Sequence, residues 1–387
     1  MHETHRLYIK PQIITGKNAL GYLDKSVTGR VGVITDAFMV SSGMLAGLLR
    51  HLAGCEVEVF SGVTPDPSVE VVLKGTRAMA AFGPGTIIAF GGGSPIDAAK
   101  AVIASLRGMG QNGNIAFIAI PTTSGSGSEV TGYAIISEAE GGIKLPLISD
   151  DMLPDAALLD PELTQSLPPP LTADTGMDVI AHGLEAYVAR KADDFSDAFA
   201  EKALALACVW LPVAYADGAD LEARKKMHAA SCMAGIAFNT AGLGLCHGLS
   251  HAAGGAMHLP HGRINAMLLP HVVEFNAGLE EGFSPKKVES AAQRYAMLTR
   301  RLKPEVATLR EGARGLAREI RRLNALMKIP ATLREAGVNM AAFEEQREKV
   351  IKAALADAAT ACNPRAASPA DVGRLLDLVA GRHGRWR

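Results

Sequence analysis

The chain has 387 residues, 48% of them hydrophobic and 20% charged, with a formal net charge of −1. That length suits two or three domains with large cores. The near-neutral charge argues against a nucleic-acid partner, no apolar run approaches the roughly 20 residues that span a bilayer, and the start MHETHRLYIKPQ lacks the apolar segment of a secretory signal. Five scattered cysteines (Cys55, Cys208, Cys232, Cys246 and Cys362) show no Cys-x-x-Cys spacing. They are expected to be reduced and mostly buried, in a cytoplasmic setting.

The first 160 residues alternate β-branched runs with helix-length segments. Val31–Thr35, Glu56–Phe60, Thr86–Phe90 and Ile115–Ile120 read as strands, most of them closed by Gly, Pro, Asp or Ser. Such alternation predicts βαβ units and a mostly parallel sheet, with ligands at the carboxyl ends of its strands. Asp36 closes the first strand. Its carboxylate could accept hydrogen bonds from a ribose and repel a 2′-phosphate, or simply cap the next helix.

Thr86–Phe90 runs into Gly91-Gly92-Gly93-Ser94 and then Pro95-Ile96-Asp97. Ser94 reads as a helix N-cap, Pro95 as the first helical residue and Asp97 as the capping-box partner. Glycines admit a ligand closely, and a helix N-terminus favours an anion such as a pyrophosphate. A plain strand-to-helix turn would look the same. After Ile115–Ile120 comes a second loop rich in hydroxyls and glycines, PTTSGSGSE (121–129). A surface loop is the bland alternative, but two polar loops at neighbouring strand ends favour a nucleotide.

The proline-rich stretch DPELTQSLPPPL (160–171) breaks this grammar, and Ala- and Leu-rich segments at helical spacing follow. The division expected is an α/β domain over 1–166 and a helical domain over 167–387. In the second half Asp178 and His182 stand four apart, as do His247 and His251, each pair on one face of a helix; His261 follows in Leu-Pro-His-Gly. One carboxylate and several imidazoles suit Fe, Zn, Ni or Co. Exposed helix pairs are the bland alternative, weakened by the apolar AGLGLC (241–246), because buried imidazoles need partners. His258 and His271 read as supporting or structural, and His2, His5, His51, His228 and His383 as ordinary surface positions.

The segments GGGSPIDAAK (91–100), IPTTSGSGSEVT (120–131), TGMDVIAHGLEAY (175–187) and AGLGLCHGLSHAAGGAMHLPHG (241–262) together resemble the iron-containing (group III) alcohol dehydrogenases. The resemblance runs from Gly16 to Asn363. It implies an N-terminal dinucleotide-binding α/β domain, an all-helical C-terminal domain and an active site in the cleft between them. Metal ligands are implied at Asp178, His182, His247 and His261. Cofactor contacts are implied at Asp36, Gly92, Gly93, Ser94, Asp97, Thr122, Thr123, Ser126, Thr131 and Lys144. His251 is implied to lie near the nicotinamide as a proton relay. The implied cofactors are NAD(H), favoured over NADP by Asp36, and Fe(II), with Zn(II) the other ion. Departures from the family pattern (Thr64–Pro67, Ser126 and Ala252) spare every ligand position.

Within that family VTPDPS (63–68), IKLPL (143–147), LPDAALLDPEL (153–163) and CNPRAAS (362–368) are similar to propanol and ethanol dehydrogenases associated with bacterial microcompartments. This narrower likeness implies reduction of propanal or acetaldehyde to the short-chain alcohol, by a homodimer or larger assembly, in the cytoplasm or as microcompartment cargo. The alternative is a non-redox, NAD- and metal-dependent enzyme similar to the dehydroquinate synthases. A metal-dependent hydrolase is more remote.

Overall fold

The computed structural model describes residues 6–110, 115–138, 144–257, 259–279, 289–302 and 308–382; His2, His5, His258 and His383 lie outside them. The strands are β1 (Gln12–Thr15), β2 (Arg30–Asp36), β3 (Glu56–Val63), β4 (Thr86–Gly91), β5 (Ala116–Pro121), β6 (Tyr133–Ser137), β7 (Lys144–Ile148) and β8 (Ala156–Leu159). Six of them make one parallel sheet in the order β1-β8-β5-β4-β2-β3, while β6 and β7 pair as a separate antiparallel ribbon. The four strands expected from sequence are all present, within a residue or two at one end and up to three at the other.

Helices α1 (Leu23–Ser26), α2 (Ala37–Ser41), α3 (Met44–Arg50), α4 (Val69–Phe82) and α5 (Gly93–Gly108) connect the strands. They cover both faces of the sheet, so β4 is buried along its whole length. Its Ile87 and Ala89 join the core that contains Val72, Met79 and Ile96 of α4 and α5. Its Ile88 and Phe90 face the opposite way, into the core with Leu45 and Leu48 of α3. Register pairs Gly91 at the end of β4 with Pro121 at the end of β5, so the two polar loops leave the sheet side by side.

Beyond β8 the described chain is helical: α6 (Pro169–Val188), α7 (Asp194–Ala216), α8 (Leu221–Ala241), α9 (Leu245–Met257), α10 (His261–Asn276), α11 (Glu289–Leu302), α12 (Leu309–Leu326), α13 (Met340–Ala356), α14 (Ala358–Ala361) and α15 (Pro369–Val379). The prolines that end the first grammar open α6, with Pro168 as its N-cap and Pro169 and Pro170 in its first turn. From Met177 to Val188 every residue of α6 is buried. Helices α7, α8 and α10 pack around it. Helix α7 is long and apolar enough to cross a membrane by length and composition. Here its Ala200, Ala203, Leu204, Ala207 and Leu211 lie in the helical core.

One expectation about α5 is corrected. Its N-cap is Gly92, which makes no side-chain cap bond, and Gly93 already lies within the helix. Neither Ser94 nor Asp97 caps it; the Asp97 carboxylate instead accepts from Ser128 Oγ at 2.5 Å and from the Ile135 amide at 3.0 Å. The sheet loops meet the helical half where Gly127, at φ +63°, lies against Gly235 of α8. A Cβ on Gly235 would stand 2.7 Å from the Val130 side chain, 2.8 Å from Gly127 O and 3.0 Å from Gly127 Cα. The Gly132 amide also donates to Asn239 Oδ1 at 3.0 Å. Gly235→Ala is expected to cost about 1–3 kcal/mol in urea unfolding through this backbone collision. Gly108→Ala, which would meet nothing within 4 Å, should be neutral or slightly stabilising.

Candidate active site and metal centre

One cleft of about 500 Å³ reaches from the glycine loop to the imidazoles. Its lining includes Gly92, Gly93, Ser94, Asp97, Thr123, Ser126 and Thr131 on the sheet side, and Asp178, His182, His247, His251 and His261 on the helical side. Of the remaining candidates, Thr122 is buried and its amide donates to Gly91 O at 2.9 Å, which holds the two loops together. Asp36 does cap α2, accepting from the Met39 amide at 3.0 Å through Oδ1. A Cβ on Gly91 would sit 3.3 Å from its other oxygen, so that oxygen faces the glycine turn. Lys144 opens β7, and its side chain lies outside the described set.

Behind the loops lies a buried polar cluster that sequence reading missed. Lys100, fully buried on α5, donates to Ser128 Oγ at 2.8 Å, Thr131 Oγ1 at 3.2 Å and Tyr133 O at 2.6 Å. Burial lowers its ammonium to about 8 against the pull of Asp97 and Glu129. Glu129 is equally buried, and burial raises its carboxyl to about 7. Its Oε1 has no hydrogen-bond partner among the described residues.

The metal-ligand candidates come from three helices. Asp178 Oδ1 lies 3.6 Å from His247 Nε2 and 3.7 Å from His261 Nε2. One donor atom from each of the three lies within 4.8 Å of the others. His182, one turn after Asp178, falls outside this tight group; its ring stacks on His247 at 4.5 Å and on Phe238 at 4.6 Å. Its Nδ1 is buried without a hydrogen-bond partner among the described residues. Burial pushes its pKa down to about 4, so the ring is neutral and keeps a free lone pair. Burial opposes a charged Asp178, yet the surrounding histidines hold its carboxyl far below the usual range.

Partners at the far ring nitrogens fix which atom each imidazole presents. His247 Nδ1 donates to Glu185 Oε2 at 2.5 Å, leaving Nε2 toward Asp178. Burial works against its charged form, but Glu185 and Asp178 outweigh this and lift it to about 9. His261 Nδ1 pairs with the Ser250 hydroxyl at 2.8 Å. This is the carboxylate– or hydroxyl–histidine pattern that orients metal ligands. A buried carboxylate, imidazoles with Nε2 turned inward and an orphaned ring nitrogen beside them fit a divalent first-row ion.

His251 is held differently. Its Nδ1 pairs with Asp357 Oδ2 at 2.9 Å, and it keeps about a fifth of its side chain exposed. Glu185, Ser250, Asn265 and Asp357 escaped the sequence reading. Glu185 had a signal, standing seven residues after Asp178 on the same helix face; Asp357 had none, arriving from a hundred residues away. His228, read as a surface position, is buried and pairs through Nδ1 with Ser124 Oγ at 3.0 Å, since α8 packs against the β5 loop. His51 is half-buried and paired with Asp24. His271 is buried within α10.

A parallel dinucleotide-type sheet joined through one cleft to a buried Asp and His cluster suits an enzyme that brings a dinucleotide and a metal ion to one site. The chain belongs to the iron-containing alcohol dehydrogenase family: that family's description matches residues 10–161, and its C-terminal part matches residues 172–379. It is an NAD(H)-linked oxidoreductase that interconverts alcohols and aldehydes. It is 40% identical over 372 residues to the 1-propanol dehydrogenase PduQ of Citrobacter freundii, covering 95% of this chain and 98% of that one. It is 36% identical to the NADPH-dependent butanol dehydrogenase of Clostridium saccharobutylicum, covering 97% of each. The solved iron-containing alcohol dehydrogenase of Thermococcus thioreducens superposes with a TM-score of 0.87 at 34% identity, over 97% of this chain and 100% of that one.

The buried Glu129 generates a pH prediction. Its folded pKa is raised, so the folded chain holds a proton that the unfolded chain releases near 4.5. Ionisation therefore adds no cost at low pH, and stability is lost progressively as pH rises from about 4.5 to about 7. Glu129→Gln should shrink the difference in unfolding free energy between pH 5 and pH 8, read from urea titrations, by up to about 3 kcal/mol. An unchanged difference would mean the carboxyl ionises normally in the folded chain.

Proposed function

We propose that this enzyme reduces propanal, acetaldehyde or a similar short aldehyde to the primary alcohol with NADH, using a divalent ion, Fe(II) or Zn(II), held by Asp178, His182, His247 and His261. The observation that carries this reading is the single cleft joining the glycine loops to the imidazole cluster. When bound, the dinucleotide supplies or takes up hydride, and the ion withdraws charge from the substrate oxygen. The α5 N-terminus with Gly92, Gly93 and Ser94 receives the pyrophosphate, and Thr122, Thr123, Ser126, Thr131 and Lys144 complete that side. Asp97 acts there by bracing Ser128 and the β6 backbone.

Asp36 faces the glycine turn with one oxygen, where it disfavours a 2′-phosphate. This supports NADH here, although one relative is named for NADPH. His251 exchanges a proton at Nε2 while Asp357 holds Nδ1. Among the described residues no Lys or Arg lines the cleft, whereas Asp66, Asp97, Asp174, Asp178 and Asp357 do. A small neutral substrate fits this lining, and an anionic one of the dehydroquinate synthase kind does not. The likeness to PduQ supports propanal, and we extend it to a cytoplasmic homo-oligomer that can serve as microcompartment cargo, with residues 1–166 and 167–387 as its two domains.

The first test is anaerobic NADH oxidation with propanal by enzyme loaded with Fe(II), loaded with Zn(II) and stripped of metal. Turnover that requires the ion supports the reading, and ion-independent or absent turnover overturns it. His261→Ala should lose bound ion and activity together. His251→Ala should retain the ion but lower kcat about 10²-fold or more, the usual weight of a general acid or base. Asp357→Asn should give a smaller loss of kcat with KM for NADH unchanged, and should shift the pH profile. Loss of the ion in His251→Ala would refute the separation between ligand and relay.

A further inference from the structure

Two hydroxyls share the ammonium buried beneath the polar loops, and it leaves them in different states. Lys100 stands three residues after Asp97 on α5 and has three hydrogens to donate. They go to Ser128 Oγ at 2.8 Å, Thr131 Oγ1 at 3.2 Å and Tyr133 O at 2.6 Å. Each hydroxyl accepts from the lysine and must therefore send its own hydrogen elsewhere. Ser128 has a destination, because Asp97 Oδ1 accepts from it at 2.5 Å. Thr131 has none: it is 1% exposed, and among the described residues the bond from Lys100 is the only one at its hydroxyl.

A buried hydroxyl hydrogen without an acceptor is costly to keep. An unspent donor of this kind beside a cavity points to an acceptor that arrives with a ligand. Thr131 lines the cleft together with Ser128 and Tyr133, on the side of the glycine turn. A free threonine hydroxyl can either give or take a hydrogen bond. With an ammonium on its oxygen, Thr131 is committed to giving one.

We propose that Lys100 is a positioning residue for the dinucleotide: by donating to Thr131 Oγ1 it turns that hydroxyl into a dedicated donor to an oxygen of the bound cofactor. The inference rests on the dinucleotide site proposed above. Lys100 touches no ligand itself. Through Tyr133 O it also ties the start of β6 to α5, the helix whose N-terminus receives the pyrophosphate. The donor and the phosphate cradle are thus held by one element.

The test measures dissociation constants of NADH and ADP-ribose for full-length wild type, Thr131→Val (similar in shape, without the hydroxyl), Thr131→Ser, Lys100→Met and the double variant Lys100→Met/Thr131→Val. Thr131→Val and Lys100→Met should each weaken NADH binding about five- to tenfold, the equivalent of one hydrogen bond, while Thr131→Ser should stay within about twofold of wild type. Because the lysine acts through the hydroxyl, Lys100→Met should cost less affinity in the Thr131→Val background than in wild type. An equal cost in both backgrounds overturns the proposal, since a lysine that merely props the loop would behave that way. Wild-type affinity in either single variant overturns it as well. A loss confined to NADH supports it with the acceptor at the nicotinamide end, and a loss shared by ADP-ribose supports it with the acceptor on the diphosphate or its riboses. If Lys100→Met fails to fold, Lys100→Gln takes its place in the cycle. Failure of wild type to bind either ligand would instead overturn the dinucleotide site beneath the proposal.

Discussion

The ionised Asp178, buried at the floor of the cleft, is the constraint on which the rest of the helical half depends. A buried carboxylate without partners would be too costly to keep charged. Here two imidazole Nε2 atoms stand within 3.7 Å of it and an amide lies closer still. Helices α6, α9 and α10 must therefore converge to within a side chain's reach. Glycines permit this at the closest approaches: a Cβ on Gly262 would stand 2.1 Å from Asp174 O, and one on Gly244 would stand 2.7 Å from Glu185 Oε1. Arg263 clamps α10 to α6 from the side with paired bonds to Asp174 at 3.0 and 2.9 Å.

The other half of the site is a consequence of strand register. Because β4 and β5 end level with one another, the glycine turn and the Thr122–Ser128 loop form one polar shelf. The shelf is fixed from below by Lys100 and Asp97, both of which engage Ser128. It is fixed from the far side by α8, through the Gly127–Gly235 approach. A loop of serines and glycines thereby acquires a single shape without strands or disulfides of its own. Hydride transfer needs reacting atoms within about 3–3.5 Å of one another, and this shelf faces the imidazoles across one cavity.

Much of this was legible in the chain. Apolar strand runs and their polar ends marked the sheet, and i,i+4 spacing put Asp178 with His182 and His247 with His251 on shared helix faces. Other features were hidden for physical reasons. Short β1 and β8, four residues each, carry too little pattern to stand out. Ser94 looks like a cap by composition, but the turn enters the helix at Gly93 and tertiary contacts take up Asp97. His228 looks like a surface residue beside Arg224, Lys225 and Lys226, yet α8 turns it beneath the β5 loop, where burial lowers its pKa to about 4.

Spacing alone also fails to separate the two histidines of His247-x-x-x-His251. Both rings have a carboxylate at Nδ1, Glu185 for one and Asp357 for the other. The Nδ1 partner sets ring orientation in each case, so it cannot be what distinguishes a ligand from a proton relay. For these two, what Nε2 faces does. His247 Nε2 stands 3.6 Å from Asp178 Oδ1 and joins the converging group with His261, whereas His251, one turn along on α9, lies outside that group. A ligand must reach the ion, while a relay must hand its proton onward. The same motif thus divides its labour by how α9 packs against α6 and α10, a property of the helix packing and not of the motif.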